Sequence, residues 1–178
     1  DVVAVAHASY VAELVTALMP PEAPDPEALE LVLQLWDSLA EAGPSPGALR
    51  AVELAILDLA GHRPALDGCA ACGATDVDTN AVFDPTRGGV ICRRCAATSR
   101  GPSVRPIDAG TIAYLRAVAS YRRPAAARAV DADPQFLPAD RAAGRDAFVG
   151  MVSGLVGRPL RSLEYIAKLG AASRRDGS

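Results

Sequence analysis

The 178-residue sequence predicts an all-α helical bundle interrupted by a small four-cysteine module that contains a short β-hairpin. Three observations predict it. Alanine is about a fifth of the chain and aromatic residues only 4%, a palette that suits helices better than sheets. Apolar residues recur at three- and four-residue steps through most of the chain. Residues 67–97 break that pattern, holding all four cysteines among Gly and Pro punctuation and few apolar side chains.

The elements follow in order. Residues 2–19 carry Val3, Tyr10, Val11, Leu14, Val15 and Leu18 on one helical face, and the prolines from Pro20 onward end it because proline cannot donate to a continuing helix. Asp25 before Pro26 combines a capping carboxylate with proline at the first helical position. From there Leu29, Val32, Leu33, Trp36 and Leu39, with Leu31 and Leu35, give an unusually wide apolar face up to Ala42. Gly43-Pro44-Ser45-Pro46-Gly47 breaks the chain, and a third helix with Leu49, Val52, Leu54, Ile56, Leu57 and Leu59 stops at Gly61. Ala81–Phe83 and Gly89–Ile91 read as two short strands joined by a turn over residues 84–88.

Asp108 caps a helix marked by Ile112, Leu115 and Val118, ending near Tyr121. Residues 122–139, rich in Ala, Pro and Arg, read as a long connection with one short helical turn. Asp140 caps a further helix carrying Phe148, Val149, Val152, Leu155 and Val156, and a last short helix after Pro159 carries Leu160, Leu163, Ile166 and Leu169. The expected organisation is 1–66 as the first helices of the bundle, 67–98 as the cysteine module, 99–170 as the completing helices and 171–178 as a disordered tail. No internal repeat is evident, and no window of 18 residues is free of charge, which excludes a helical membrane span. Asp1 is not an initiator Met and no leader pattern follows, so the chain reads as a fragment lacking an upstream part, with nothing to suggest export.

The net charge of −3 conceals an asymmetry. Residues 1–68 hold eleven acids and two bases, whereas residues 69–178 hold ten acids and sixteen bases. Between Arg87 and Arg128 nine arginines face one acid, Asp108. A basic stretch within a mildly acidic chain points to an anionic partner. Arginine forks match phosphate oxygens, so Arg87, Arg93, Arg94, Arg100, Arg105, Arg116, Arg122 and Arg123 are the candidates for nucleic-acid contact. The bland alternative is arginine scattered over solvated faces. Tyr114 and Tyr121, seven apart on one helix, either stack bases or complete the core.

Cys69-x-x-Cys72 and Cys92-x-x-Cys95, with 19 residues between the pairs, are the strongest local signal. A C-x-x-C loop brings two thiolates to one tetrahedral cation and a second loop completes the shell. One structural zinc ion on Cys69, Cys72, Cys92 and Cys95 is therefore expected. Two disulfides lack an oxidising context; an iron site or a redox-active pair is the remaining alternative, and no strand-then-helix setting surrounds either pair. The module has too few apolar side chains to offset backbone entropy of roughly 1–2 kcal/mol per residue unaided. Metal binding on the order of 10–16 kcal/mol in small modules supplies the difference. Four thiolates leave no open position for an activated water, so catalysis by the metal is not expected. Arg93 and Arg94, inside the second pair, either reach phosphates or offset the net −2 charge of a four-thiolate zinc.

Nothing else suggests an enzyme. His7 and His62 read as satisfied or solvated imidazoles, and no nucleophile triad or phosphate-binding glycine loop is present. Gly150 and Gly154 suggest close packing. Glu27 with Glu30, and Asp131 with Asp133, read as solvated carboxylates.

The order of features resembles the C-terminal two-thirds of the RecO family of bacterial recombination mediators and DNA repair proteins. The resemblance rests on ASYVAELVTALMP, PDPEALELVLQLWDSLAEAG, RAVELAILDLAGHRPALDGCAACG, FDPTRGGVICRRC, PIDAGTIAYLRAV and GLVGRPLRSLEYIAKL. It implies a helical domain with a zinc-binding insertion, preceded in full-length members by an OB-fold domain absent here. It further implies a non-enzymatic role in homologous recombination through the RecFOR pathway, in the bacterial cytoplasm at the nucleoid. The implied partners are single-stranded and double-stranded DNA, RecR and the C-terminal tail of single-strand-binding protein. Annealing and assistance in loading RecA would follow. A zinc-stabilised protein adaptor without intrinsic DNA binding is the alternative.

Overall fold

The helices before the cysteines each begin at a side chain able to satisfy the otherwise unpaired amides of the first turn. The computed structural model describes residues 1–20, 25–77, 80–158, 160–166 and 168. Helix α1, Val2–Leu18, is capped by Asp1, which accepts from the Val3 amide at 2.8 Å. Helix α2, Pro26–Ala42, is capped by Asp25 and starts with proline, as expected. Helix α3, Pro46–Leu59, is capped by Ser45, whose Oγ accepts from the Ala48 amide at 3.0 Å.

The wide apolar face of α2 divides. Leu31, Val32, Leu35 and Leu39 enter the core, while Leu29, Leu33 and Trp36 are 60%, 47% and 43% exposed. The neighbouring helix explains the division, because α1 covers only one flank of α2 and Trp36 reaches it by donating from Nε1 to the Ala8 carbonyl at 3.4 Å.

The expected hairpin is present as β1, Ala81–Asp84, and β2, Gly89–Ile91, joined by a single 3-10 turn at Pro85–Arg87. Asp84 sets that turn by accepting from the Thr86 amide at 3.0 Å and its hydroxyl at 2.6 Å. The sheet also holds a third strand, β3, Arg105–Ile107, in the antiparallel order β2-β1-β3, with Phe83 opposite both Val90 and Arg105. Sequence reading misses β3 because Pro106 sits at its centre. An edge strand tolerates a proline with no ladder partner to supply.

Between β2 and β3 lies α4, Arg93–Ala96, one turn long. Helix α5, Ala109–Ala119, is capped by Asp108, which accepts from the Thr111 amide at 2.7 Å. The 122–139 connection contains two short helices rather than one turn, α6, Pro124–Ala127, and α7, Ala129–Ala132. Helix α8, Pro138–Val156, begins two residues before Asp140. Asp140 still serves its start, accepting from the Leu137 amide at 2.7 Å. Residues 161–166 form the last helix, whereas Leu169 and the tail expected to be disordered lie outside the described residues.

One apolar core joins bundle and sheet. Tyr10, Leu35, Ile56 and Leu57 fill it on the bundle side, and Phe83 meets Phe148 of α8 edge-to-face at 6.2 Å between ring centres. Tyr114 is also core, packing edge-on to Phe136 at 5.7 Å, so it presents no face to a base. Gly154 has no neighbour within 4 Å of where a Cβ would stand, so the expected close packing does not occur there. Asp131 is not solvated either: its carboxylate accepts from the Ser45 hydroxyl at 2.5 Å and the Gly47 amide at 2.9 Å, fastening α7 to the start of α3.

Candidate metal centre and basic surface

Two backbone knuckles converge the cysteines. In the first, the Cys69 amide donates to the Ala74 carbonyl at 2.8 Å, and the Gly73 amide, at a left-handed φ of 73°, donates back to the Cys69 carbonyl at 2.8 Å. In the second, the amides of Cys95 and Ala96 turn onto the Cys92 carbonyl at 3.0 and 2.9 Å. The end of β2 delivers Cys92, and its amide donates to the Cys69 sulfur at 3.3 Å. The four Sγ atoms all lie within 4.8 Å of one another, with Cys72 and Cys92 at 3.8 Å. A tetrahedron with metal–sulfur bonds of about 2.3 Å has edges of about 3.8 Å. A disulfide needs about 2.05 Å, and all four cysteines are free.

The electrostatics of the cluster also call for a cation. Burial opposes ionisation of Cys69, but amides of Cys92, Ala71 and Cys72 outweigh it and bring its thiol down to about 6. Cys92 is lowered chiefly by the Cys95 amide. Cys95 is pushed up to about 12 by the Cys72 and Cys92 sulfurs beside it. Two thiols are prepared for ionisation and the last is disfavoured until positive charge enters. The donor set therefore fits one metal ion.

The candidate arginines divide into two surroundings. Arg87, Arg93, Arg94, Arg100 and Arg105 are exposed on or beside the cysteine module. Arg94 hydrogen-bonds the Cys92 and Cys72 sulfurs, which raises its own pKa and is the charge-offsetting arrangement. Arg87 donates to the Thr98 hydroxyl at 3.0 Å and lies 3.7 Å from the Asp84 carboxylate. Arg105 donates to the Pro102 carbonyl at 2.6 Å.

The remaining three lie on α5 and in the segment just after it. Arg116 donates to the Leu66 carbonyl at 3.0 Å and pairs with Asp67 at 3.3 Å. With Arg122 it borders a groove of about 390 Å³ between α2, α3 and α5, which also carries Glu27, Asp58 and Asp67. Arg122 and Arg123 then flank Glu27 and Glu30. Carboxylates therefore share this second group's surface. Arg128, at the end of the basic run, is structural: it donates to the carbonyls of Gly43 at 2.8 Å and Ala42 at 2.6 Å, closing the C-terminus of α2.

Comparison with known proteins places these features. The family model described as "Recombination protein O C terminal" matches residues 1–164. The DNA repair protein RecO of Anaeromyxobacter sp. strain K is 36% identical over 170 residues, covering 96% of this chain and 64% of its own length. Those of Roseiflexus sp. strain RS-1 and Geobacter sulfurreducens are 31% and 29% identical, over 93% and 95% of this chain and 56% and 65% of their own lengths. The chain thus spans somewhat under two-thirds of the length of these curated relatives.

Proposed function

This chain belongs to the RecO family of DNA repair proteins, and we propose that it works as the helical, metal-braced part of a recombination mediator. In this reading it binds single-stranded and double-stranded DNA, promotes annealing, and acts with RecR and the C-terminal tail of single-strand-binding protein to help load a recombinase. Its place would be the bacterial cytoplasm, at the nucleoid. Among the described residues no helix is long and apolar enough to cross a membrane.

The observation that carries the reading is the belt of exposed arginines around the cysteine cluster. Zinc is the proposed ion, held by Cys69, Cys72, Cys92 and Cys95. Bound zinc would supply charge and a closed tetrahedral shell, with no open position for reacting groups. Arg94 compensates the thiolates, which leaves exposed Arg93 and Arg100 as the proposed phosphate contacts, with Arg87 and Arg105, held by Asp84, Thr98 and Pro102, beside them. The chain performs no catalysis in this scheme.

Fluorescence anisotropy of a labelled oligonucleotide across a salt series tests it. Binding that falls steeply with salt, and falls further in an Arg93→Ala/Arg100→Ala variant, is the expected result. Flat anisotropy at low salt would leave a zinc-braced protein adaptor. That second reading draws on the exposed Leu29, Leu33 and Trp36 beside the acids of α2.

A further inference from the structure

The segment Gly157-Arg158-Pro159-Leu160-Arg161-Ser162-Leu163 is explained by packing at only some of its positions. Leu160 is 1% exposed and anchors the turn in the core. Glu13 of α1 holds the backbone from the other side, accepting from the Arg161 amide at 3.1 Å, the Ser162 amide at 3.0 Å and the Ser162 hydroxyl at 2.6 Å. Those bonds prevail over burial and lower the Glu13 pKa. The segment is thus held in place, with Arg158 pairing loosely with the same Glu13 and Arg161 left to solvent. Arg161 is exposed, and Arg158 is more than half exposed with its guanidinium 3.7 Å from Glu13.

The helix that follows continues the pattern. Arg161, Tyr165 and Lys168 fall at i, i+4 and i+7 and so share one stripe, and all three are exposed, Tyr165 at 44%. Glu164, the acid on this helix among the described residues, lies three residues after Arg161 and four before Lys168, so it borders the stripe on the side away from Tyr165.

Helix α8 relates this end to the cysteine module. A Cβ on Gly150 would meet Pro85 at 3.6 Å and Ser103 at 3.8 Å, within two residues of Arg87 and Arg105. From Gly150 the helix runs six residues to Val156, about 9 Å. The elements that carry Arg87 and Arg105 thus pack beside Gly150, on the same helix whose end leads into Arg158.

We propose that Arg158, Arg161 and Lys168 form a second phosphate-contact site, with Tyr165 as a stacking platform for one base of a single strand. It rests on the nucleic-acid-binding reading above. A ring between cations on a fixed element is the arrangement that single-strand binders use without reading sequence.

The test is anisotropy of a labelled oligothymidylate with the full chain across a salt series. Arg158→Gln/Arg161→Gln is expected to weaken binding about tenfold and to flatten the log–log salt slope by about 1.4, two contacts at about 0.7 each. Arg161→Gln alone spares the Glu13 bonds, which use backbone and Ser162, so a folding defect in the double variant does not obscure the result. It should flatten the slope by about 0.7, and Arg161→Lys should restore it. Tyr165→Leu should weaken binding about tenfold with the slope unchanged. Wild-type affinity and slope in Arg161→Gln and Tyr165→Leu, alongside weakened binding in Arg93→Ala/Arg100→Ala, would overturn this site and leave the broader reading standing. Absence of binding by the unaltered chain at low salt would overturn both.

Discussion

Arg50 and Glu53, one turn apart on α3, form an ion pair inside the core, their side chains 5% and 0% exposed. Burial raises the Glu53 pKa, opposed by the Arg50 charge and the Tyr10 hydroxyl beside it. Removing one member of a buried pair strands the other charge, at a cost of about 3–5 kcal/mol. Arg50→Met alone should therefore destabilise the chain by about that much in urea unfolding. Arg50→Met/Glu53→Leu should recover most of it, because apolar replacement of both partners removes the desolvation cost. A double variant no better than the single would show that the pair itself is needed for the packing of α1 on α3.

His7 gives a pH dependence with a defined sign. Burial, reinforced by the Arg50 charge, lowers its pKa to about 4 from 6.5. The folded imidazole stays neutral between those values while the unfolded one takes up a proton. Its contribution to stability is therefore intact above about pH 6.5 and lost as pH falls toward 4. Between pH 7 and pH 5 the loss is about 2 kcal/mol. Subtracting the profile of a His7→Leu variant from that of the unaltered chain isolates it from the cysteines, and parallel profiles would refute it.

Metal content and local order should change together. Colorimetric assay of the purified chain is expected to find one zinc per chain, and Cys92→Ser to abolish it, since Cys92 is a proposed ligand and its amide is directed at Cys69. In hydrogen exchange, chelation should expose the amides of Val82, Val90 and Ile91 far more than those of α1–α3. Uniform loss of protection would instead mean that module and bundle unfold as one unit.

Asp131 should matter as much as a core residue despite its charge. Asp131→Ala removes the acceptor for the Ser45 hydroxyl and the Gly47 amide, and an expected loss of about 2–3 kcal/mol follows from two charge-assisted bonds. Asp133→Ala, whose partner Gln135 lies on the same exposed turn, should cost far less in the same denaturation experiment.

The contrast between these two aspartates illustrates what is legible in sequence. Local signals were readable: Asp25 before Pro26, the paired cysteines, and the turn residues after Asp84 all act within a few positions of themselves. Asp131 meets Ser45 across 86 residues, and Arg128 meets Gly43 across 85, separations at which periodicity carries no information. Leu29, Leu33 and Trp36 have the spacing of a buried face, and only the position of α1 decides that they stay outside. At the site, the spacing of the cysteines foretold their convergence. The separation of Arg116, Arg122 and Arg123 from the other candidates depends on how α5 and the segment after it pack against α2 and α3.

The Glu13 clamp has a consequence for how the chain is made. It joins residues 148 and 149 positions apart, and closing so long a loop carries an entropic cost that nearby contacts must first offset. Synthesis adds about 5–20 residues per second, and α1 precedes the Arg161–Ser162 segment in the chain. The Glu13 carboxylate is therefore made about 7–30 seconds before the Arg161–Ser162 segment that it holds. A segment made long after α1 is thus the one that latches it.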